Sequence, residues 1–273
     1  MSAAALSRNL PRLAAGAGAL LALTVVGFVV AQNATVTKDV VYVPTPQEVV
    51  DAMLEMGAVG PGDRVLDLGS GDGRIVISAA KRGAQAVGIE IDPELVEQSR
   101  ANAKEAGVED LAEIRQANIF ETDLSQADVI TMYLLPSLNM KLRPKLLELK
   151  PGTRVVTHAF AMEDWKPDRQ QDSVGREIYL WIVPARVAGV WNLERDGQQI
   201  RLTLRQQFQE VGGTASIDDL KIPVEDATLR GNVLRFALRI DGQLQSFEAR
   251  VEEDRLQLDP PWRATRAAIA ALH

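Results

Sequence analysis

The chain has 273 residues, of which 46% are hydrophobic and 25% are charged, a composition typical of a globular protein with one large or two modest domains. Its formal net charge of -7 argues against a nucleic-acid partner, because such partners are bound through basic surfaces. The sequence has no cysteine and only two histidines, His158 and His273, which excludes disulfides and cysteine nucleophiles and predicts no metal site.

The N-terminal segment, residues 1–31, resembles a targeting signal. Arg8 and Arg12 precede an apolar stretch over residues 13–31, and the Val-Val-Ala sequence at 29–31 is typical of a signal-peptide cleavage site. The stretch is also about as long as the roughly 20 residues that cross a bilayer as a helix. We therefore predict a signal peptide or a membrane anchor that contacts the membrane or the export machinery. The downstream chain is then membrane-associated or exported, on the periplasmic side, with the cytosolic face as the alternative.

Residues 32–46 are predicted to form a linker, and an α/β domain is predicted over residues 47–184. Pro44 and Pro46 favour extended backbone at the end of the linker. Helical segments then alternate with short apolar strand segments, which indicates parallel βαβ units. The predicted fold is a Rossmann-like, doubly wound, mostly parallel sheet. The predicted helices are 47–56, 73–82, 93–106 and 137–147, and the predicted strands are 64–68, 85–90, 111–116, 127–133, 153–158 and 176–184.

From residue 185 onward the helical period disappears, and a small antiparallel β domain is predicted over residues 185–273. Asp196-Gly197 and Asp241-Gly242 predict hairpin turns. The domain is expected to be a sandwich or an open barrel, closed by a Pro-Pro-Trp sequence and a short helix. Trp191 and Trp262 are expected in its core, with a ligand cleft as the alternative. The alternating segments that predict strands are 188–194, 199–206, 233–240 and 244–251.

A glycine-rich loop follows the first predicted strand. Residues 67–74 read Asp-Leu-Gly-Ser-Gly-Asp-Gly-Arg, with Gly69, Gly71 and Gly73 at alternate positions. Such glycines let the backbone turn tightly and approach a ligand, and the amides at the start of the next helix can donate to it. The spacing differs from the G-x-G-x-x-G pattern of dinucleotide sites.

The second predicted strand ends in an acidic residue, Glu90, about 20 residues beyond the glycines. In nucleoside-binding α/β folds an acid at this place accepts hydrogen bonds from ribose hydroxyls, and its charge would repel the 2′-phosphate of NADP. Asp92 is explained as the N-cap of the helix that begins at Pro93. Glu90 has no such explanation, so we predict that it binds a ribose.

The loop and Glu90 together resemble motif I and its partner acid in the class I methyltransferases that depend on S-adenosylmethionine (SAM). The resemblance implies SAM as cofactor, with Asp67 at its ammonium group and the glycine loop beneath its methionine part. Asn118 stands where related enzymes usually have an aspartate that contacts the adenine amino group; an ordinary loop role is the alternative. The cofactor-binding residues that the resemblance implies here are Asp67, Gly69, Ser70, Gly71, Gly73, Glu90, Ile91, Asn118 and Ile119.

The fourth predicted strand ends in Tyr-Leu-Leu-Pro at 133–136, where many amine methyltransferases have Asn/Asp-Pro-Pro-Tyr. This departure argues against adenine or glutamine methylation of that type. The Tyr-Leu-Leu-Pro sequence resembles the small membrane-anchored lysine methyltransferases of adenine nucleotide translocase and the ATP synthase c-subunit, and their bacterial relatives. The likeness extends over roughly residues 40–184. Further matching sequences are Tyr-Val-Pro at 42–44, the proline-containing segment 142–152 and Trp-Lys-Pro-Asp at 165–168.

This second resemblance implies that Tyr42 and Thr45 fold over the cofactor and that Tyr133 faces the methyl acceptor. An ordered linker and a packing role at a strand end are the respective alternatives. His158, at the end of the fifth predicted strand, is a candidate base, with a structural role as the alternative.

The leading hypothesis is therefore a SAM-dependent N-methyltransferase that acts on a protein lysine, with a membrane-associated protein as substrate. One alternative is a small-molecule methyltransferase whose β domain helps to select the substrate. Another is a non-catalytic exported protein that binds a nucleoside or another ligand.

Overall fold

A computed structural model describes residues 42–218 and 220–267. The predicted targeting segment and most of the predicted linker lie outside these residues. No helix within the described ranges is both long and apolar enough to cross a membrane.

The first sheet has seven strands within the described residues, in the order β3-β2-β1-β4-β5-β7-β6. The strands β1 to β5 are parallel to one another, whereas β7 runs antiparallel to both of its neighbours, β5 and β6. This confirms the predicted doubly wound, mostly parallel sheet. Its strands are β1 (Arg64–Leu68), β2 (Gln85–Glu90), β3 (Ala112–Gln116), β4 (Val129–Met132), β5 (Arg154–His158), β6 (Arg169–Ser173) and β7 (Arg176–Ile182).

Helices cover both faces of this sheet, so β1 and β4 are buried along almost their whole length. Separate clusters of apolar side chains pack on the two faces. As predicted, the Asp92 carboxylate caps the third helix by accepting the N–H of Glu94 at 3.1 Å. The helices are α1 (Gln47–Met56), α2 (Arg74–Lys81), α3 (Pro93–Glu105) and α4 (Pro136–Leu146).

The second sheet contains nine antiparallel strands of the described chain, in the order β11-β10-β9-β8-β16-β15-β14-β13-β12. Its two ends approach each other, because β10 contacts β12 and β11 contacts β13. The domain is therefore a nearly closed barrel, which agrees with the open-barrel alternative. Its strands are β8 (Gly189–Arg195), β9 (Gln198–Gln207), β10 (Glu210–Ile217), β11 (Leu220–Pro223), β12 (Glu225–Arg230), β13 (Val233–Ile240), β14 (Gln243–Glu252), β15 (Arg255–Leu258) and β16 (Arg263–Arg266).

Both predicted hairpin turns are present, and Asp196-Gly197 and Asp241-Gly242 have positive φ angles at both residues, as type I′ turns require. Trp191 is fully buried in the barrel core, which confirms its expected packing role.

A short helix was predicted after the Pro-Pro-Trp sequence, but Arg263–Arg266 form a strand, and residues 268–273 lie outside the described residues. This strand is β16, which fills the place between β8 and β15. Strand β6 and several barrel strands were also not predicted. Their apolar alternation is short or weak, as in β6 (Arg-Gln-Gln-Asp-Ser), so they lack the pattern by which a strand is recognised.

Candidate cofactor and acceptor site

A cavity of about 820 Å³ opens at the carboxyl ends of the parallel strands, next to β1, where the strand order reverses. Ligands of open α/β sheets bind at this place. Most residues that the sequence predicted for the site line this cavity; Gly71 and Gly73 belong to the same loop without lining it. The lining residues among those predicted are Tyr42, Thr45, Asp67, Gly69, Ser70, Glu90, Ile91, Asn118, Ile119 and Tyr133.

Asp67 is the last but one residue of β1 and is only 2% exposed. Its carboxylate accepts a hydrogen bond from the Thr131 hydroxyl at 2.7 Å. Burial raises the pKa of Asp67 to about 7. Within the described residues no cation forms an ion pair with it, so a ligand ammonium group would supply the missing partner.

Glu90, at the end of β2, binds the glycine loop directly. One carboxylate oxygen accepts the N–H of Gly71 at 2.8 Å, and the other accepts the N–H groups of Ile91 and Asp92 at 2.8 and 3.0 Å. The expectation that Glu90 lacks a structural explanation is therefore wrong. Each carboxylate oxygen has two acceptor positions, so the same side chain can hold the loop and still accept from a ribose hydroxyl.

Two positions of the loop have room only for glycine, because another side chain packs closely against each of them. Gly71 and Gly73 have φ angles of 55° and 82°, which side-chain-bearing residues rarely adopt. A Cβ atom on Gly71 would lie 2.2 Å from the Tyr42 ring, and a Cβ atom on Gly73 would lie 2.0 Å from the Ser99 hydroxyl.

Residues 42–46, which we call the N-terminal strap, cross this loop. The Arg74 guanidinium pairs with Asp72 at 2.5 Å and donates to the Thr45 carbonyl at 2.7 Å. Burial and the neighbouring Asp72 carboxylate raise the pKa of the Tyr42 hydroxyl. The Thr45 hydroxyl lies 3.2 Å from Nδ1 of His158. Tyr42 and Thr45 thus lie over the loop and at the cavity, whereas their contact with a cofactor stays a prediction. Sequence reasoning missed Asp72 and Arg74, although both belong to the loop motif.

Asn118 lines the cavity, and its side chain also shapes its own loop. Its amide oxygen accepts the N–H of Phe120 at 3.0 Å, and its amide nitrogen donates to Glu121 at 3.2 Å. These bonds support the loop-forming alternative. The contact between Asn118 and an adenine group stays a prediction.

The part of the cavity near β4 and β5 is apolar and aromatic. Tyr133, at the end of β4, stacks near Phe160, with ring centroids 6.3 Å apart and planes inclined by 17°. Leu135 and Leu138, at the start of α4, line the same side. Phe160 was not identified from the sequence, although it follows β5 and so lies at the ligand-binding edge of the sheet.

Tyr133 and Phe160 form an aromatic wall of the cavity. His158 lies behind this wall, with its ring centroid 3.9 Å from that of Tyr133. It is 1% exposed, and burial lowers its pKa to about 4. Its Nε2 atom has no hydrogen-bond partner within the described chain. A general base works best with a pKa near the working pH, so the structural alternative for His158 is favoured over the base.

The cavity fits SAM by size and by chemistry. Its volume lies within the range of about 300–1,000 Å³ usual for small-molecule sites. The Asp67 carboxylate suits the cofactor's ammonium group, and Glu90 suits its ribose.

Comparisons with known proteins agree with this site. The family model described as ANTKMT methyltransferase domain matches residues 67–169. A protein-lysine N-methyltransferase of Saccharolobus islandicus is 46% identical over 149 residues, covering 52% of this chain and 92% of that protein. The lysine N-methyltransferase of the ATP synthase c-subunit from Homo sapiens is 36% identical over 128 residues, covering 46% of this chain and 54% of that protein. This chain thus spans about half the length of the human relative.

A solved structure is also similar. An RNA methyltransferase from Salinibacter ruber, in complex with S-adenosyl-L-homocysteine, is 58% identical and has a TM-score of 0.52. The match covers 53% of this chain and 96% of that chain.

Fold and site together define a class I methyltransferase that uses SAM. The match covers 92% of the Saccharolobus relative, and this chain therefore belongs to the ANTKMT-type methyltransferase family.

Gly71→Ala should weaken SAM binding by about tenfold or more, because the new Cβ displaces the Tyr42 ring from the loop. Gly107→Ala is the matched control: Gly107 has a similar φ of 66°, but no atom lies within 4 Å of the position that its Cβ would take. Calorimetric titration of both variants with SAM measures the difference. Equal losses in the two variants would show that backbone strain, and not the strap, is responsible.

SAM affinity should fall as the pH drops below 7. Asp67 has a raised pKa near 7, and a bound ammonium group favours its charged form, so binding releases a proton below that pH. The Kd should rise by up to about tenfold per pH unit between about pH 7 and 5.5. Asp67→Asn should bind weakly with little pH dependence over this range. A wild-type Kd that is flat with pH would contradict the role of Asp67.

Proposed function

We propose that this SAM-dependent methyltransferase transfers the methyl group to the side-chain amine of a protein lysine. The observation that carries the proposal is the division of the cavity into two chemically different halves. The cofactor half lies at β1 and β2 and contains the lining carboxylates Asp67, Asp72, Glu90 and Asp92. The acceptor half lies at β4, β5 and the start of α4 and is formed by Tyr133, Leu135, Leu138 and Phe160.

The acceptor half suits an amine that must lose its proton before it reacts. A free lysine has a pKa of about 10.4, and an apolar surrounding lowers the pKa of an amine because it disfavours the charged form. A carboxylate beside the amine would have the opposite effect. The aromatic rings of Tyr133 and Phe160 still attract the cationic amine as it enters.

SAM supplies a methyl group activated by a positively charged sulfur. The residues of this chain therefore mainly bind, align and exclude water. Asp67 and Glu90 hold the cofactor, the N-terminal strap covers it, and the aromatic wall directs the amine towards the cofactor half. No strong base is needed in this scheme, which agrees with the low pKa of His158.

The named activities of relatives support a protein lysine as acceptor. Both the Saccharolobus relative and the enzymes named for the ATP synthase c-subunit are called lysine N-methyltransferases. The similar solved structure is named an RNA methyltransferase. The net charge of -7 argues against RNA as the acceptor of this chain, because RNA binding relies on basic surfaces.

The proposal extends to a membrane-associated acceptor protein. Tyr42, Val43 and Leu135 line the cavity and are 39%, 56% and 41% exposed, which makes its mouth partly apolar. Such a rim suits an acceptor whose surface is itself apolar. The targeting segment predicted at the N-terminus supports a location at the membrane. The activity of a phosphatase fused to the C-terminus tests on which side of the membrane the methyltransferase domain lies.

Incubation of the full-length protein with methyl-labelled SAM and a membrane extract should label proteins, and hydrolysis should release labelled methyllysine. Asp67→Asn is the control and should lower the incorporation by at least about tenfold, because it removes the charge that holds the cofactor. Label found in RNA or in small metabolites, with no methyllysine, would overturn the lysine proposal.

A further inference from the structure

The hairpin between β9 and β10 reaches from the barrel into the α/β domain. Gln207 pairs with Glu210, so the turn consists of Phe208 and Gln209, which we call the hairpin tip. Phe208 has a φ of 53°, a conformation that is costly for an aromatic residue and for which hairpins prefer glycine. An aromatic residue stays in this costly conformation only when its surrounding contacts hold it there.

The Phe208 ring packs into the hydrophobic cluster of the other domain. It stacks on Trp165 with ring centroids 5.9 Å apart and planes inclined by 22°. The guanidinium of Arg143, on α4, lies 5.4 Å from the Phe208 ring centroid. The tip is therefore partly buried against the core of the α/β domain, although it belongs to the barrel.

Gln209 adds a pair of hydrogen bonds to the same region. Its side-chain oxygen accepts the indole N–H of Trp165 at 3.0 Å, and its amide nitrogen donates to the Lys166 carbonyl at 2.6 Å. Lys166 in turn forms an ion pair with Glu210 at 2.5 Å. Trp165 is fully buried, and a buried indole N–H without a partner would be costly. The position of Trp165 thus depends on the barrel.

Trp165 belongs to residues 159–166, which we call the acceptor loop because Phe160 at its other end lines the acceptor half. The Phe160 carbonyl accepts from the Thr157 hydroxyl at 2.6 Å and from the Asn139 amide at 3.3 Å. Asn139, like Arg143, lies on α4. The acceptor loop is therefore held by β5, by α4 and by the hairpin tip.

Arg143 connects the same elements from the helix side. Its guanidinium donates to the Met162 carbonyl at 3.1 Å and pairs with Asp164, both in the acceptor loop. The tip thus contacts both elements that wall the acceptor half, while the residues of the cofactor half lie at β1 and β2, on the other side of β4.

We propose that the hairpin tip is a positioning element for the methyl acceptor. It fixes Trp165 and Arg143, and through them the acceptor loop and α4, so the barrel domain determines how the acceptor binds. The cofactor half binds SAM independently of it. The acceptor's identity as lysine rests on the proposed function, whereas the coupling of the tip to the acceptor loop does not.

The test variant is Phe208→Gly combined with Gln209→Asn. Glycine suits the left-handed position and Gly-Asn is a common two-residue turn, so the hairpin is preserved while the ring and the long amide are removed. Phe208→Tyr keeps the ring and is the conservative variant. Leu244→Ala, at an exposed residue of β14 next to the Asp241-Gly242 turn, is the control for a change elsewhere in the barrel.

Hydrogen exchange and calorimetry test the coupling without any acceptor. In the double variant, amide exchange over residues 159–166 should accelerate by about tenfold or more, and exchange over residues 67–74 should stay unchanged. The Kd for SAM should stay within about twofold of the wild type. Phe208→Tyr and Leu244→Ala should behave as the wild type in both measurements.

Methylation kinetics with poly-L-lysine as the probe then test the effect on the acceptor. The double variant should raise the acceptor KM by about tenfold while the KM for SAM stays the same. Unchanged exchange in the acceptor loop, or equal losses for SAM and acceptor, would overturn the proposal. A wild type that methylates no lysine would instead sink the proposed function, and the exchange measurement would still decide whether the tip holds the loop.

Discussion

The carboxylate of Glu90 is the contact on which the site depends. It accepts three backbone N–H groups, one of them from Gly71, and thereby ties the glycine loop to the end of β2. The loop in this position leaves no room for a Cβ atom under the Tyr42 ring. The strap, the loop and the cofactor half of the cavity are therefore organised around a single buried acid that also lines the cavity.

The two halves of the cavity differ in charge and polarity because they are built on different strands. The half at β1 and β2 contains carboxylates, including the buried Asp67, and is suited to a cation and a ribose. The half at β4 and β5 is aromatic and apolar and is suited to a neutral amine. Methyl transfer needs this asymmetry, since the cofactor is charged and the nucleophile must not be.

The barrel is joined to this chemistry by a hairpin whose tip packs against the core of the neighbouring domain. The buried Trp165 donates its indole N–H to Gln209 of the barrel, so the two domains share this contact. This arrangement gives the barrel a role in the acceptor site although it lies outside the region matched to the family model.

The sequence by itself determined the alternation of strands and helices, the loop at residues 67–74, the acid at Glu90 and the type I′ turns, because these depend on local periodicity and on residues with special backbone freedom. It also identified ten of the 22 residues that line the cavity, since residues after parallel strands meet at one edge of a sheet. Only the tertiary structure decided that Glu90 holds the loop, that Arg263–Arg266 is a strand, and that Phe160 and the Phe208 tip belong to the acceptor side. Each of these depends at least in part on contacts distant in the chain, such as β8 beside β16 and Trp165 against Phe208, which no local sequence pattern reveals.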